Sequence, residues 1–173
     1  MSTTPLIGSV VVAFAFGTGD IVPNRQIWDM AVRCANRLLV RAGSLIYTQE
    51  DVPIPPQYKG NIVCIDQEGG KPPSTLRIAR GAVKEAQRVR ASLIYVVAAQ
   101  PHLHRALRDV RAAVSEANAH IGVEVCSGVL DYSTNSWFSP ESGQPHTQSR
   151  KNWEQREWIL MHMPFWLYKL VAS

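Results

Sequence analysis

Short apolar segments rich in Val and Ile alternate with longer amphipathic segments over most of the chain, and this alternation restricts the fold more than any other feature. Each short segment has the length and the β-branched composition of a buried strand. The amphipathic segments are roughly a dozen residues or longer, which is enough for the crossover helix that joins two parallel strands. The sequence therefore predicts an α/β fold, a Rossmann-like three-layer sandwich with a mainly parallel sheet of about five strands. The predicted strands are residues 10–16, 44–51, 61–66, 91–99 and 122–129.

The amphipathic segments carry apolar residues at helical spacing, which predicts helices over residues 26–41, about 75–90 and about 103–117. Ser74 or Thr75 is predicted to cap the second of these helices, because both hydroxyls can accept a hydrogen bond from a free amide of the first turn.

The chain is predicted to form a single domain over residues 1–173, which is long enough for one sizeable core. Residues 131–152 have no periodicity and many turn-forming residues, so they predict a long loop, and loops of this length are often lids or binding segments. Residues 153–171 return to a helical pattern that Pro164 interrupts, and they predict a C-terminal helix.

Charge and hydropathy argue against nucleic-acid-binding and membrane-spanning proteins. The formal net charge of +4 comes from 18 basic and 14 acidic residues, a mild excess that suits a small anionic ligand equally well. The arginine-rich helix faces lack interleaved aromatic residues, so a nucleic-acid partner is not expected. The apolar stretch at residues 6–16 is about half the length that spans a bilayer, so no transmembrane segment is predicted. The sequence leaves open whether the chain forms a homodimer.

The cysteines predict a reducing compartment. Cys34, Cys64 and Cys126 are odd in number, far apart and surrounded by apolar residues. This pattern predicts small buried side chains rather than a disulfide framework or a zinc site, and hence a cytoplasmic location.

Polar or glycine residues follow each of the first four predicted strands. Because ligands of an open parallel sheet bind beyond the carboxyl ends of its strands, these residues are expected to share one crevice. The candidate ligand-binding residues are Gly17, Thr18, Gly19 and Asp20 after the first strand, Gln49 after the second, Glu68, Ser74 and Thr75 after the third, and His102 and Arg105 after the fourth.

His102 and Arg105 are the candidate catalytic residues. They are three positions apart in a helix that begins near Pro101, so they share a face, whereas His104 is turned away from it. In the simplest alternative, His102 only caps the helix and Arg105 is a solvated surface charge. A metal site formed by the two histidines is not predicted, because Pro101 prevents the strand from continuing and no further ligands have convincing spacing.

The "GTGD" turn at residues 17–20 is a weak signal for phosphate binding. It lacks the third glycine of the dinucleotide fingerprint, and the sequence contains no Gly-Lys-Ser/Thr of a phosphate loop. A tight strand-to-helix turn explains the two glycines without any ligand.

The residues are compatible with three function classes. The favoured one is a pocket for a small anionic or nucleotide-like molecule, with Arg105 as charge partner and His102 as a hydrogen-bonding or acid–base group; whether the protein is an enzyme stays open. The second is a non-enzymatic interaction module, for example at a membrane surface, that uses the aromatic residues of 153–170. Packing of these aromatics against the sheet is the preferred explanation for them. Nucleic-acid binding ranks last.

The segment "STLRIARGAVKEAQRVRASLIYVVAAQPHLHRAL", residues 74–107, resembles the bacterial SanA/ElyC/YdcF-like family of unknown function. Thr75 and Ala79 match the helix start of that family, which has the form T-x-E-N-A. A later family pattern, V-T-S-x-x-H-x-x-R-A, is matched by Val97, His102, Arg105 and Ala106. The early glycines and the Arg-Glu pair at 156–157 before an aromatic helix are also similar.

The resemblance implies a Rossmann-like fold with a small-ligand pocket. It implies S-adenosylmethionine binding for one branch of the family and cell-envelope polysaccharide or lipid-carrier biology for the membrane-anchored branch, and this chain looks more like the soluble branch. The chain departs from the family at Arg77 and Ile78, where Glu-Asn is usual, and at Ala98 and Ala99, where Thr-Ser is usual. These departures leave a changed ligand specificity and a loss of activity as open alternatives.

Overall fold

The computed structural model describes residues 8–42, 44–65 and 72–172. These residues contain a five-stranded sheet in which every pair of neighbouring strands is parallel, with the spatial order β3-β2-β1-β4-β5. The predicted Rossmann-like α/β fold is therefore confirmed. The strands are β1 (Ser9–Ala13), β2 (Ser44–Gln49), β3 (Asn61–Ile65), β4 (Leu93–Val97) and β5 (Gly122–Val125), and the helices are α1 (Val22–Ala42), α2 (Thr75–Arg88), α3 (Gln100–Glu116), α4 (Arg150–His162) and α5 (Phe165–Ala172).

The alternation of side chains along β1 divides the core into two layers. Val10, Val12 and Phe14 face α2 and α3 on one side of the sheet. Val11 and Ala13 face α1 on the other side. All five side chains are fully buried, which explains why the central strand is a continuous apolar run rather than an alternating one.

The second predicted helix begins where the sequence indicates. Ser74 is the N-cap of α2, and its hydroxyl accepts a hydrogen bond from the amide of Arg77 at 3.2 Å. α3 has no side-chain cap; Ala99 occupies its N-cap position and Pro101 lies in its first turn, where the missing N–H of proline costs nothing.

The predicted loop and C-terminal helix differ from the observed structure in detail. Within residues 131–152 the chain forms two short 3₁₀ turns, Thr134–Trp137 and Pro145–Thr147, and α4 already begins at Arg150 because Ser149 caps it. The C-terminal segment is two helices rather than one, since Pro164 cannot continue α4.

Two expectations about buried side chains were wrong. Cys34 and Cys126 are buried as predicted, but Cys64 is exposed because it lies on β3 at the edge of the sheet. The C-terminal aromatic residues do not all pack inward: Trp153 is buried, whereas Trp158 and Trp166 are 63% and 66% exposed.

Gly81 allows α2 to approach the sheet closely, because a Cβ at this position would overlap the hydroxyl of the buried Tyr47. In an open helix, replacing glycine by alanine gains about 1 kcal/mol. Here we expect Gly81→Ala to lower the free energy of unfolding by about 1–3 kcal/mol, the usual cost of overpacking a core. Urea denaturation measures this change.

A second variant tests whether the Tyr47 hydroxyl causes the clash. In a Tyr47→Phe background, which removes the nearest atom, Gly81→Ala is expected to cost less than in the parent. An equal cost in both backgrounds would show that the Tyr47 hydroxyl is not the obstacle, since the ring of residue 47 is kept.

Candidate functional site

The strand order reverses between β1 and β4, and a cavity of about 260 Å³ lies at the carboxyl ends of these strands. Such a reversal leaves a crevice because the helices that follow the two strands pass on opposite faces of the sheet. The cavity lies between the end of β1, the first turns of α2 and α3, and the inner sides of α4 and α5. Its polar lining consists of Gln49, Ser74, Thr75, His102, Arg105, Gln144, His146, Thr147, Arg156 and Tyr168.

Three predicted site residues meet directly in this cavity. Thr75 Oγ1 accepts a hydrogen bond from Arg105 Nη1 at 2.8 Å and lies 3.2 Å from His102 Nε2. All three residues are buried. The structure thus brings together the first turns of α2 and α3, and His104 is exposed outside the cavity, as the helical spacing indicates.

The simpler alternative for these residues does not hold. His102 does not cap α3, and the Arg105 side chain is only 6% exposed rather than solvated.

Glu157 of α4 holds Arg105 in place. Arg105 Nε donates to both carboxylate oxygens of Glu157, at 2.9 and 3.1 Å, and the Trp153 ring lies 5.5 Å from the guanidinium carbon. Burial raises the pKa of Glu157, although Arg105 opposes that rise. A buried arginine needs such a partner. The sequence does not identify Glu157 as this partner, because the two residues are 52 positions apart and no local pattern connects them.

His102 is a neutral imidazole in an aromatic environment. Its ring makes edge contacts with Phe14 and Trp153, with centroid distances of 5.8 and 5.5 Å. Burial, followed by the charge of Arg105, lowers the pKa of His102 well below its usual value. Within the described part of the chain, its Nδ1 atom is buried without a hydrogen-bond partner.

Arg156 adds a positive charge to the cavity, and His146 lines it as an imidazole that is neutral above about pH 4. Burial, followed by the charges of Arg156 and Arg105, lowers the pKa of His146 to about 4. Arg156 makes no hydrogen bond or ion pair with any of the residues 8–42, 44–65 and 72–172, yet it lines the cavity. Neither residue is among the predicted site residues, because His146 lies in the irregular segment between β5 and α4, and Arg156 follows that segment, whose path the sequence pattern does not indicate.

The glycine turn after β1 contributes less than predicted. Gly17 lines the cavity, but Thr18, Gly19 and Asp20 do not. The Thr18 amide donates to Ser142 Oγ at 3.4 Å and the Gly19 amide to Asp51 Oδ1 at 3.2 Å, so the protein itself occupies these donors. Asp20 forms an exposed ion pair with Arg25 at 2.8 Å.

The turn is organised by a buried residue that sequence reasoning missed. Asn24 Oδ1 accepts from the Phe16 amide at 2.8 Å, and Nδ2 donates to the carbonyls of Gly17 and Gly19. Both glycines have positive φ angles, +95° and +94°. The two glycines therefore allow a tight turn around Asn24, and this turn needs no ligand to explain it.

The remaining predicted residues lie as follows. Gln49 lines the cavity, accepts from the Ala15 amide and donates to Asp51. Ser74 also lines it, but its hydroxyl is occupied by capping α2 and by donating to the Ala172 carbonyl. Glu68 lies outside the described residues.

The described residues contain neither a metal-binding cluster nor a membrane-spanning helix. No group of three or more His, Cys, Asp or Glu side chains in this part of the chain could hold a metal ion. No helix there is both long enough and apolar enough to cross a membrane.

Comparisons with known proteins do not show which family the chain belongs to. No protein-family model matches it, and no curated protein does. A solved structure of a mutant short-chain dehydrogenase/reductase from Serratia marcescens is similar over 81% of this chain, with 17% sequence identity and a TM-score of 0.34. This chain covers 63% of that structure. The fold assignment rests on the strand order and pairing described above.

The low pKa of His146 predicts a pH-dependent stability. The unfolded chain protonates this histidine near pH 6.5, whereas the folded protein does so only near pH 4. The unfolded state therefore binds more protons between these values, so the contribution of His146 to stability is complete above about pH 6.5 and is lost as the pH falls towards 4. We expect His146→Gln to lose less stability than the parent when denaturation is compared at about pH 7.5 and about pH 5.

His104→Gln, which removes an exposed histidine outside the cavity, controls for the loss of a histidine as such. Burial also raises the pKa of Glu157 and of Asp109, which favours the folded state as the pH falls. Both carboxyl groups are present in the parent, His146→Gln and His104→Gln, so they do not account for a difference between these proteins. Parallel pH curves for the parent and His146→Gln would contradict the assignment.

Proposed function

We propose that the cavity between β1 and β4 binds a small anionic ligand that carries a phosphate group, as part of a small-molecule-binding α/β protein. The observation that supports this most strongly is the charge of the cavity lining: Arg105 and Arg156 both contribute to it, and no Asp or Glu is among its described lining residues. Arginine is the side chain best suited to bind phosphate oxygens.

The two arginines have different roles in the proposal. Arg105 is held in a fixed position, because Glu157 and Thr75 occupy its Nε and Nη1 groups, and the ion pair with Glu157 offsets part of its charge. Arg156 has no partner among the described residues, so its donors are available to a ligand.

His102 acts through hydrogen bonding rather than as an acid or base. An imidazolium here would be buried, beside Arg105, and without a carboxylate partner, which is why its pKa is lowered. A neutral ring instead holds the Thr75 hydroxyl, and with it the Arg105 guanidinium, in position. The proposal is therefore ligand binding, with no chemical step assigned.

The size and charge of the cavity favour some ligands over others. About 260 Å³ is slightly below the roughly 300–1,000 Å³ of typical ligand pockets, so a phosphate with a sugar-sized group fits better than a whole dinucleotide. S-adenosylmethionine, which the family resemblance implied, carries a sulfonium charge that Arg105 and Arg156 would repel. Membership of the SanA/ElyC/YdcF-like family stays a prediction.

A thermal-shift screen with inorganic phosphate, phosphomonoesters, sugar nucleotides, polyprenyl phosphates and S-adenosylmethionine tests the proposal, because a bound ligand stabilises the native state. We expect phosphate-bearing compounds to raise the melting temperature. Arg156→Gln should weaken their binding about 10- to 100-fold, the loss expected for a hydrogen bond to a charged group.

The matched control is Arg111→Gln, which removes the same charge from an exposed position on α3 outside the cavity. Arg105→Gln is a poorer test because it would leave Glu157 buried without its partner. If no phosphate compound stabilises the parent, or if Arg156→Gln and Arg111→Gln bind the ligand equally well, the proposed site is wrong.

A further inference from the structure

Two of the three cysteines lie together between α1 and the segment that follows β5. Cys34 is on α1, Cys126 comes directly after β5, and both side chains are buried, at 5% and 6% exposure. Cys126 Sγ lies 4.0 Å from the carbonyl oxygen of Met30. In an α-helix that oxygen accepts from the amide four positions later, which here is the amide of Cys34. The Cys126 sulfur therefore lies at the turn of α1 that ends in Cys34, where the two thiols interact.

Two polar contacts beside the thiol pair connect the same two parts of the chain. Arg37 Nη1 donates to Ser127 Oγ at 3.4 Å, and Arg33 Nη2 donates to the Tyr132 hydroxyl at 2.9 Å. These contacts hold one side of α1 against the segment after β5, and the thiol pair belongs to that interface. Because Arg33, Arg37 and Ser127 are exposed, the pair lies just beneath the surface rather than at the centre of the core.

The surroundings of the pair favour a thiolate on Cys126 and a thiol on Cys34. The Cys34 thiol lowers the pKa of Cys126, and Arg37 and Arg33 lower it further, although burial opposes them. The Cys126 sulfur and burial raise the pKa of Cys34. The thiolate is the nucleophilic form of cysteine, whereas cysteines that only fill an apolar core stay protonated and inert. A thiolate beside a second thiol is the arrangement of a reactive cysteine and its resolving partner.

We propose that Cys34 and Cys126 are a redox-active pair that hydrogen peroxide converts to an intramolecular disulfide. The Cys126 thiolate attacks one peroxide oxygen, the O–O bond breaks, and the hydroxide that leaves takes up the proton lost by Cys126. The Cys34 sulfur then attacks the sulfur of the Cys126 sulfenic acid. Its proton passes to the hydroxyl group, which leaves as water. Two thiols are oxidised to one disulfide, and one peroxide is reduced to two molecules of water.

A structural zinc site explains the pair less well. Such sites use four cysteine, histidine or carboxylate ligands. Within the described ranges, no group of three or more His, Cys, Asp or Glu side chains could hold a metal ion. The charged residues that interact with both thiols are arginines, which stabilise a thiolate but do not bind a metal. The proposal is independent of the ligand proposed for the cavity, because neither cysteine lines that cavity.

Peptide mapping of oxidised protein tests the proposal. The Cys64→Ser variant is used, because it removes the exposed third cysteine and with it any disulfide between two copies through that residue. The folded variant is treated with equimolar hydrogen peroxide, unfolded with an alkylating agent to block remaining thiols, and digested without reductant. We expect peptides linked through Cys34 and Cys126, and we expect dithiothreitol to separate them. Folded protein that keeps both thiols, or that is oxidised without this link, would overturn the proposal.

Two matched variants in the same Cys64→Ser background test the different roles of the thiols. In Cys34→Ser the sulfenic acid on Cys126 has no resolving partner, so dimedone should label it after peroxide treatment. In Cys126→Ser the remaining Cys34 should be labelled at least about tenfold less, since it is the thiol that stays protonated. Equal labelling of the two variants would overturn the assignment of Cys126 as the attacking thiol. The mapping experiment does not depend on the folding of either variant, because it keeps both buried cysteines.

Discussion

The parallel pairing of β1 with both β2 and β4 determines where polar side chains of this protein can meet. β1 is buried on both faces and between two neighbours, and after Ser9 at its start it carries only apolar side chains. The polar side chains of the cavity therefore come from beyond the carboxyl ends of the strands, where the strand order also reverses. The residues that follow β1 and β4 meet there. His102, which follows β4, therefore lies beside the rings of Phe14 and Phe16, which follow β1.

Buried polar contacts then hold α4 and α5 over this space. Arg105 binds Glu157 of α4, while Asp109, one helical turn further along α3, accepts from the hydroxyl of Tyr168 on α5. Burial raises the pKa of both Asp109 and Tyr168, that of Tyr168 to about 12, so the phenol stays protonated and continues to donate. Removing one member of such a contact leaves the other buried and unsatisfied. The contacts therefore specify one position for the two helices more than they add net stability.

The sequence predicted the part of the site that depends on local periodicity. The spacing of His102 and Arg105 on a helix, and the position of Thr75 at the start of another, follow from patterns within about ten residues. The partners of these residues could not be predicted in the same way. Glu157 is 52 residues from Arg105, and its position depends on the irregular segment between β5 and α4. The amides of Thr18 and Gly19 donate to Ser142 and Asp51, whose positions beside the glycine turn do not follow from any local pattern. The need of a parallel sheet to be covered on both faces likewise predicts packing of the C-terminal tryptophans. Among the described residues Trp153 is buried and donates to the Pro101 carbonyl of α3, whereas Trp158 and Trp166 are exposed.

The proposed ligand and the buried polar contacts act on the same two helices. Arg156 and Tyr168 line the cavity from α4 and α5. A ligand that bridges Arg105 and Arg156 therefore stabilises the position of α4 over α3 that the contacts of Glu157 and Asp109 already favour. Because these contacts hold the walls of the cavity before the ligand arrives, less free energy is lost in ordering them on binding.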